Sequence, residues 1–338
     1  MIRRIVALGV LVVAVALVWI FLFAPPERLE ARFAHQDCRR VAVTDSRTGQ
    51  PVIGIEDLAQ VPGGGRIVFS AHDRVDPALP DGGLYETSLF ELNAGGAITV
   101  SNLVDLSERT APFRPHGIAL SPGGDRLAVI NRTGPAEARI EIGAHGPRTW
   151  VLETRLKGDK LCRANDLSFS GAGPDSLTIT IDRGACQPSI ADYMPGARTG
   201  RVVQYAGQAL TDVRSNLTFP NGIEGDWIAE TRGHRLIATD GREVLLPGGP
   251  DNLNRAEDGT VIAALHPKLA QLGLYLNDWS GSAPSRLARI NTETGRVEIL
   301  FDDPAGALFA AATSGVLIDG HLIAGSVRDA GLLVCEPG

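Results

Sequence analysis

Six four-residue stretches carry the side chains best suited to chemistry in this 338-residue chain. In order they are Ile55-Glu56-Asp57-Leu58, Pro115-His116-Gly117-Ile118, Ala164-Asn165-Asp166-Leu167, Pro220-Asn221-Gly222-Ile223, Pro250-Asp251-Asn252-Leu253 and Thr313-Ser314-Gly315-Val316. Five of the six place carboxylate, amide or imidazole groups at the same register. An isolated Asn or Asp is explained by its habit of starting strands and capping turns, but five in register point to a shared site. Oxygen ligands of mixed charge, from Glu56, Asp57, Asn165, Asp166, Asn221, Asp251 and Asn252, suit a hard cation, and their number suits calcium. Zinc would ask for His and Cys at these positions, where they are nearly absent. His116 is the group among them able to exchange a proton near neutral pH.

Each head stands before a short apolar strand and a Gly-containing turn, as in Pro115 to Leu120, then Ser121-Pro122-Gly123-Gly124-Asp125, then Arg126 to Asn131. Strands of four to eight residues joined by such turns read as β-hairpins. Further hairpins turn at Asp240-Gly241 and Thr294-Gly295. Six similar units that cannot bury both faces alone are the mark of a repeat architecture. Arranged radially they give an all-β, six-bladed β-propeller, whose first strands line a channel and bring all six heads to one rim. A parallel α/β fold is disfavoured, because no helices of 10–15 residues separate the strands.

Composition narrows the partners. A net charge of −7 without a basic block excludes a nucleic-acid backbone. Four cysteines form no C-x-x-C pair, so a zinc ribbon or thioredoxin motif is excluded; Cys162 and Cys186 are buried thiols or a bridge. Nucleophile-elbow, zinc-helix, phosphate-loop and dinucleotide motifs are missing. Asp182, Asp192 and Glu230 read as solvated loop or strand-end charges.

Met1-Ile2-Arg3-Arg4 leads into an uncharged apolar run from Ile5 to Ala24. About 20 such residues span a bilayer core as a helix. The run ends in bulky Trp19-Ile20-Phe21-Leu22-Phe23, a poor cleavage flank, and Arg3 and Arg4 favour a cytoplasmic N-terminus. Residues 1–26 are therefore expected to be a signal anchor with one transmembrane helix, with a cleaved signal peptide as the alternative. Residues 27–37 are expected to be a stem, with room for two helical turns, and 38–338 the propeller, outside the cytoplasm.

Gly54-Ile55-Glu56-Asp57-Leu58, Pro115-His116-Gly117-Ile118, Asn165-Asp166, Phe219-Pro220-Asn221-Gly222-Ile223 and Asp251-Asn252 together resemble the paraoxonase family, calcium-dependent lactonases and arylesterases on a six-bladed propeller. The likeness runs from about Cys38 to Cys335. It implies a catalytic calcium held by Glu56, Asn165, Asn221, Asp251 and Asn252. A second, structural calcium would be held by Asp57, Asp166 and the backbone carbonyl of Ile118, and His116 would be the general base. It also implies that Phe219 and His266 line the substrate pocket and that Cys38 and Cys335 form a disulfide closing the ring. The second histidine of the family's pair falls at Arg132, which cannot relay a proton at neutral pH and is expected beside the substrate. Helices covering the site, a family feature, are not evident. The function implied is hydrolysis of a small-molecule lactone or aryl ester. The alternatives are a gluconolactonase-like propeller with a single divalent metal, hydrolysing sugar lactones, and a non-catalytic binding propeller with structural calcium.

Overall fold

The computed structural model describes residues 24–337 apart from 75–80, 108, 110, 135–136, 172–174, 185, 188 and 195. The expected transmembrane helix falls almost wholly on residues 1–23, outside the described residues. Among the described residues no helix is long and apolar enough to cross a membrane.

Six antiparallel blades follow one another along the chain, and their inner strands are Ile55–Gln60, Pro115–Leu120, Ala164–Phe169, Pro220–Glu224, Gly249–Arg255 and Ala312–Ile318. Each inner strand packs against the next, and the sixth packs against the first, so the blades form a closed ring. The propeller expected from the repeats is the observed fold. Burial follows position in the blade. Second strands such as Val261–His266 are covered by blades on both faces and are buried throughout. The outermost strand Ala209–Leu217 is exposed along most of its length. Apolar clusters fill the six inter-blade gaps; between blades 3 and 4, for example, Val202 and Leu217 meet Ile223, Ile228 and Ile237.

Blade 6 takes its outer strand from the other end of the described chain. Cys38–Val41 pairs antiparallel with Leu332–Cys335, with Cys38 opposite Cys335 and the two joined by a disulfide. Cys162 and Cys186 form the second disulfide. Such bonds persist in an oxidising compartment.

The stem departs from its expected helical turns. Residues 24–33 run along the outer edge of blade 5, where Arg32 and Phe33 donate backbone N–H groups to Ile299 and Leu300, and Leu29 N–H donates to Asp302. An open sheet edge offers unpaired backbone groups, and satisfying them outweighs two isolated helical turns, which are marginal in water. Only His35–Asp37 forms a short 3₁₀ turn. The short helix Leu269–Leu276, in the loop after Val261–His266, has no counterpart in the sequence reading.

Candidate functional site

Every inner strand slips register against its neighbour near its start: between Ile55 and Asp57, Pro115 and Ile118, Ala164 and Leu167, Pro220 and Ile223, Pro250 and Leu253, and Ala312 and Ser314. A bulge of this kind bends the strand and re-aims its side chains. The six bulges coincide with the six heads. The head side chains meet across blades: Asn221 Nδ2 donates to Asp251 Oδ1, Thr313 Oγ1 donates to Asp251 Oδ2 (2.7 Å), and Asn252 Nδ2 donates to the Glu56 carbonyl (2.9 Å). His116 Nε2 lies 3.4 Å from Glu56 Oε1. Five expected ligands, Glu56, Asn165, Asn221, Asp251 and Asn252, are thus brought to one buried rim.

Their oxygens are unequally committed. Asp251 accepts from Asn221, Thr313 and His266 Nε2 (2.8 Å), so its carboxylate is largely spent. Glu56 Oε2, Asn165 Oδ1, Asn221 Oδ1 and Asn252 Oδ1 are buried with no hydrogen-bond partner. An orphaned buried acceptor costs about 1–3 kcal/mol; the three amide oxygens are such atoms, and with the Glu56 oxygen they form a donor set drawn from four blades. Amide and carboxylate oxygens fit a hard cation such as calcium. Among the described residues no three His, Cys, Asp or Glu side chains converge on one point, so a softer metal finds no set of its own.

A guanidinium lies at this place. Arg74 Nη1 is 3.0 Å from Glu56 Oε2, without hydrogen-bond geometry, and Arg74 Nη2 donates to His116 Nδ1 at 2.9 Å. Since arginine only donates, Nδ1 is the unprotonated nitrogen and Nε2 carries the hydrogen. Burial, then the charges of Arg132, Arg74 and His72, hold the His116 pKa well below the usual imidazole range, so the ring is neutral at pH 7. Burial of Glu56, outweighing Arg74, pushes its pKa up. Arg132 reaches over the Ala164 carbonyl (3.0 Å) and lies 3.7 Å from Asp182. Arg74, which sequence reasoning missed, sits in the loop leaving the second strand of blade 1. No motif marks it.

One residue further along each head, a second tier ties the blades together. Asp57 accepts from Leu58 N–H (2.9 Å), Ser314 Oγ (2.8 Å) and Ile118 N–H (2.9 Å), and Asp166 accepts from Leu167 N–H and Ile223 N–H, both at 2.8 Å. Ile118 thus presents its N–H to Asp57. Burial pushes Asp57 up to about 8 against these bonds, and burial with the Asp57 charge raises Asp166. Glycine lets the neighbouring blades approach. A Cβ on Gly117 would lie 2.6 Å from the Asn165 carbonyl oxygen, and one on Gly222 would lie 2.4 Å from that of Asp251.

Phe219 sits at the rim with φ 59°, a left-handed conformation costing about 1–2 kcal/mol for a non-glycine residue. The guanidiniums of Arg183 and Arg232 lie over its ring, 5.1 and 5.2 Å from the centroid. His266 is buried behind Asp251 with Nδ1 unpartnered. The acids read as solvated are buried instead. Asp182 faces Arg132, Asp192 accepts from Ser189 N–H (2.7 Å), and Glu230 accepts from Thr218 N–H (2.6 Å) and pairs with Arg235. From the other end of the channel a cavity of about 490 Å³, lined by Gln60, Ser121, Glu224, Asn254 and Glu257, reaches the last residues of four heads, at Ile118, Asp166, Ile223 and Leu253.

The chain matches no protein-family model and none of the curated proteins. Among solved structures it is similar to a gluconolactonase of Xanthomonas campestris, at 14% identity and TM-score 0.54, covering 92% of this chain and 96% of that one. It is also similar to a luciferin-regenerating enzyme, at 14% identity and TM-score 0.52, covering 89% of this chain and 95% of that one. A third is the calcium-binding protein regucalcin of Agrobacterium tumefaciens, at 18% identity and TM-score 0.50, covering 90% and 95%. At such identities the shared property is the fold, a propeller matched over nearly the whole length of both chains.

Proposed function

We propose that this chain is a calcium-dependent hydrolase of lactones or aryl esters. The observation that carries the reading is the set of four buried oxygens without a hydrogen bond, on Asn165, Asn221, Asn252 and the Arg74-paired Glu56, beside a neutral buried imidazole. These residues would hold the cation, with Asp251 fixing the Asn221 amide. Bound there, calcium supplies Lewis-acid stabilisation of the negative charge that develops on the ester carbonyl oxygen. Water adds to the carbonyl carbon as its proton passes to His116 Nδ1, once Arg74 has released that nitrogen. The ring oxygen then leaves as an alcohol, taking the proton from the imidazolium, and the product is a hydroxy acid. A second calcium between Asp57 and Asp166 is favoured by their raised pKa values, because neighbouring buried carboxylates need a cation or a proton.

The likeness to a gluconolactonase favours one specific alternative, a single-metal hydrolase of sugar lactones; fold analogy alone is its warrant. We also propose a membrane-anchored, extracytoplasmic protein. The apolar run of the sequence leads to Ala24, whose carbonyl accepts from Lys268 Nζ (2.5 Å) and Gln271 Nε2 (2.8 Å) in the loop after the second strand of blade 5. That loop lies at the same end of the propeller as the heads. The test is hydrolysis of a panel of aliphatic, sugar and aryl lactones and esters with and without calcium chelation. Turnover abolished by chelation, and lowered about 10²–10⁴-fold by His116→Gln, is expected. Calcium binding with no hydrolysis across the panel would transfer the site to a binding propeller.

A further inference from the structure

The site-bearing end of this acidic chain carries a ring of cations. Every blade places one basic residue one to three positions after the last residue of its second strand that pairs with the inner strand. These are Arg74 after Ala71, Arg132 after Asn131, Arg183 after Ile181, Arg232 after Glu230, Lys268 after His266 and Arg328 after Ser326. Two of the six are structural ties: Lys268 holds the Ala24 carbonyl, and Arg328 bonds Asp278 (2.5 Å) and the Tyr275 carbonyl.

The other four form an arc over blades 1 to 4, on the rim where the heads meet. Arg163, just before the inner strand of blade 3, joins them, and its Nε is buried without a hydrogen-bond partner. Arg74 and Arg132 both act on the Glu56 carboxyl, and burial together with the charges of Arg74 and Arg163 lowers the Arg132 pKa. Arg183 and Arg232 both lie over the Phe219 ring, 5.1 and 5.2 Å from its centroid, and Arg232 Nη1 also bonds the Asp192 carbonyl (2.7 Å). Glu56 answers Arg74 and Asp182 answers Arg132. A cation bound at Glu56 would take one of those two carboxylates away and leave the arc more positive still. Guanidinium forks match carboxylate and phosphate oxygens, and a cleft lined by one sign of charge concentrates ligands of the other.

We propose that the substrate is anionic, a lactone or ester bearing a carboxylate or phosphate away from the scissile bond. The Arg132–Arg163–Arg183–Arg232 arc binds that group while the heads receive the reacting carbonyl. This rests on the hydrolase reading for the reaction, but the anion site itself does not.

The test uses the full-length protein and matched pairs differing only by the charged group. The pairs are γ-butyrolactone with its γ-carboxylate, and δ-gluconolactone with its 6-phosphate. The charged member of at least one pair is expected to have a kcat/KM about tenfold or more above the neutral member, a preference that shrinks as ionic strength rises. Which pair shows it separates a carboxylate from a phosphate ligand. Arg163→Gln and Arg183→Gln should reduce the charged-to-neutral ratio, with circular dichroism confirming the fold. Titration calorimetry with 6-phosphogluconate and gluconate gives a readout independent of turnover. Binding of the phosphate without hydrolysis of any lactone would uphold the anion site and sink the hydrolase reading. Neutral members turned over as well as charged ones, with 6-phosphogluconate binding no tighter than gluconate, would overturn the proposal and leave the hydrolase reading standing.

Discussion

At Glu56 a guanidinium occupies the oxygen that the proposed calcium would need. Arg74 stands 3.0 Å from Oε2, the same atom that completes the oxygen set with Asn165, Asn221 and Asn252. Calcium bound as proposed would have to displace that guanidinium, so Arg74→Gln should tighten calcium about tenfold or more, the scale of one lost charge–charge contest at close range. Glu56→Gln should weaken it by about 100-fold, since it removes the set's one uncommitted carboxylate. Both are read by calorimetric titration, and a weaker calcium affinity in Arg74→Gln would show that the arginine supports the site. The oxygen donors were legible in the sequence because residue type and register repeat. Arg74 and Arg163 were not, because nothing in a linear pattern tells a rim arginine from a solvated one. The strained Phe219 came through resemblance, and its contact with two guanidiniums is a property of the folded rim alone.

The blade hairpins were legible because alternating apolar strands end at Gly, Asn and Asp turns. The six bulges were not: a bulge adds a residue without changing composition, yet it is what turns the heads into the channel. Gly117 and Gly222 belong to that geometry. Gly222→Ala would press a methyl to within 2.4 Å of the Asp251 carbonyl oxygen and should cost about 1–3 kcal/mol by overpacking, measured by urea unfolding. Another contact joins blades 1 and 2. His145 donates Nδ1–H to the Gly124 carbonyl (2.7 Å), and its Nε2 faces Glu86 Oε2 at 3.5 Å. The Glu86 partner raises the His145 pKa above 6.5 despite burial. Glu86 is lowered below 4.5, burial being outweighed by His145, Arg148 and Arg66. The stabilisation from His145 is complete below its unfolded value of 6.5 and is lost as pH rises through the raised folded value. That from Glu86 is complete above 4.5 and is lost as pH falls through the lowered one. His145→Gln should therefore destabilise most between these values and progressively less in alkali; denaturant melts across pH would show an equal loss at all pH values if the pair were unimportant.

The ring of six blades closes on the disulfide between Cys38 and Cys335 and on the four-residue strand beside it. Removing that bond with Cys38→Ser and Cys335→Ser should lower stability by about 2–5 kcal/mol, the range for native disulfides; thermal melts unchanged by the double substitution would show that strand pairing alone holds the ring. Repeat count and radial architecture were readable because each head carries its own strand and turn. The path of the stem along blade 5 was not, because an edge pairing leaves no local signature in residues 24–33. At this scale the account stands on one claim, that oxygens from four blades form a single calcium site on which hydrolysis depends. The measurement that tests it most directly is calcium affinity and lactone turnover on the same samples of wild type, Asn221→Ala and Asn252→Ala. Each substitution removes one neutral oxygen without changing charge, and the account predicts that both quantities fall together, with turnover recovered at higher calcium. Full turnover in a chelated wild-type protein, or turnover lost while calcium affinity is unchanged, would contradict it.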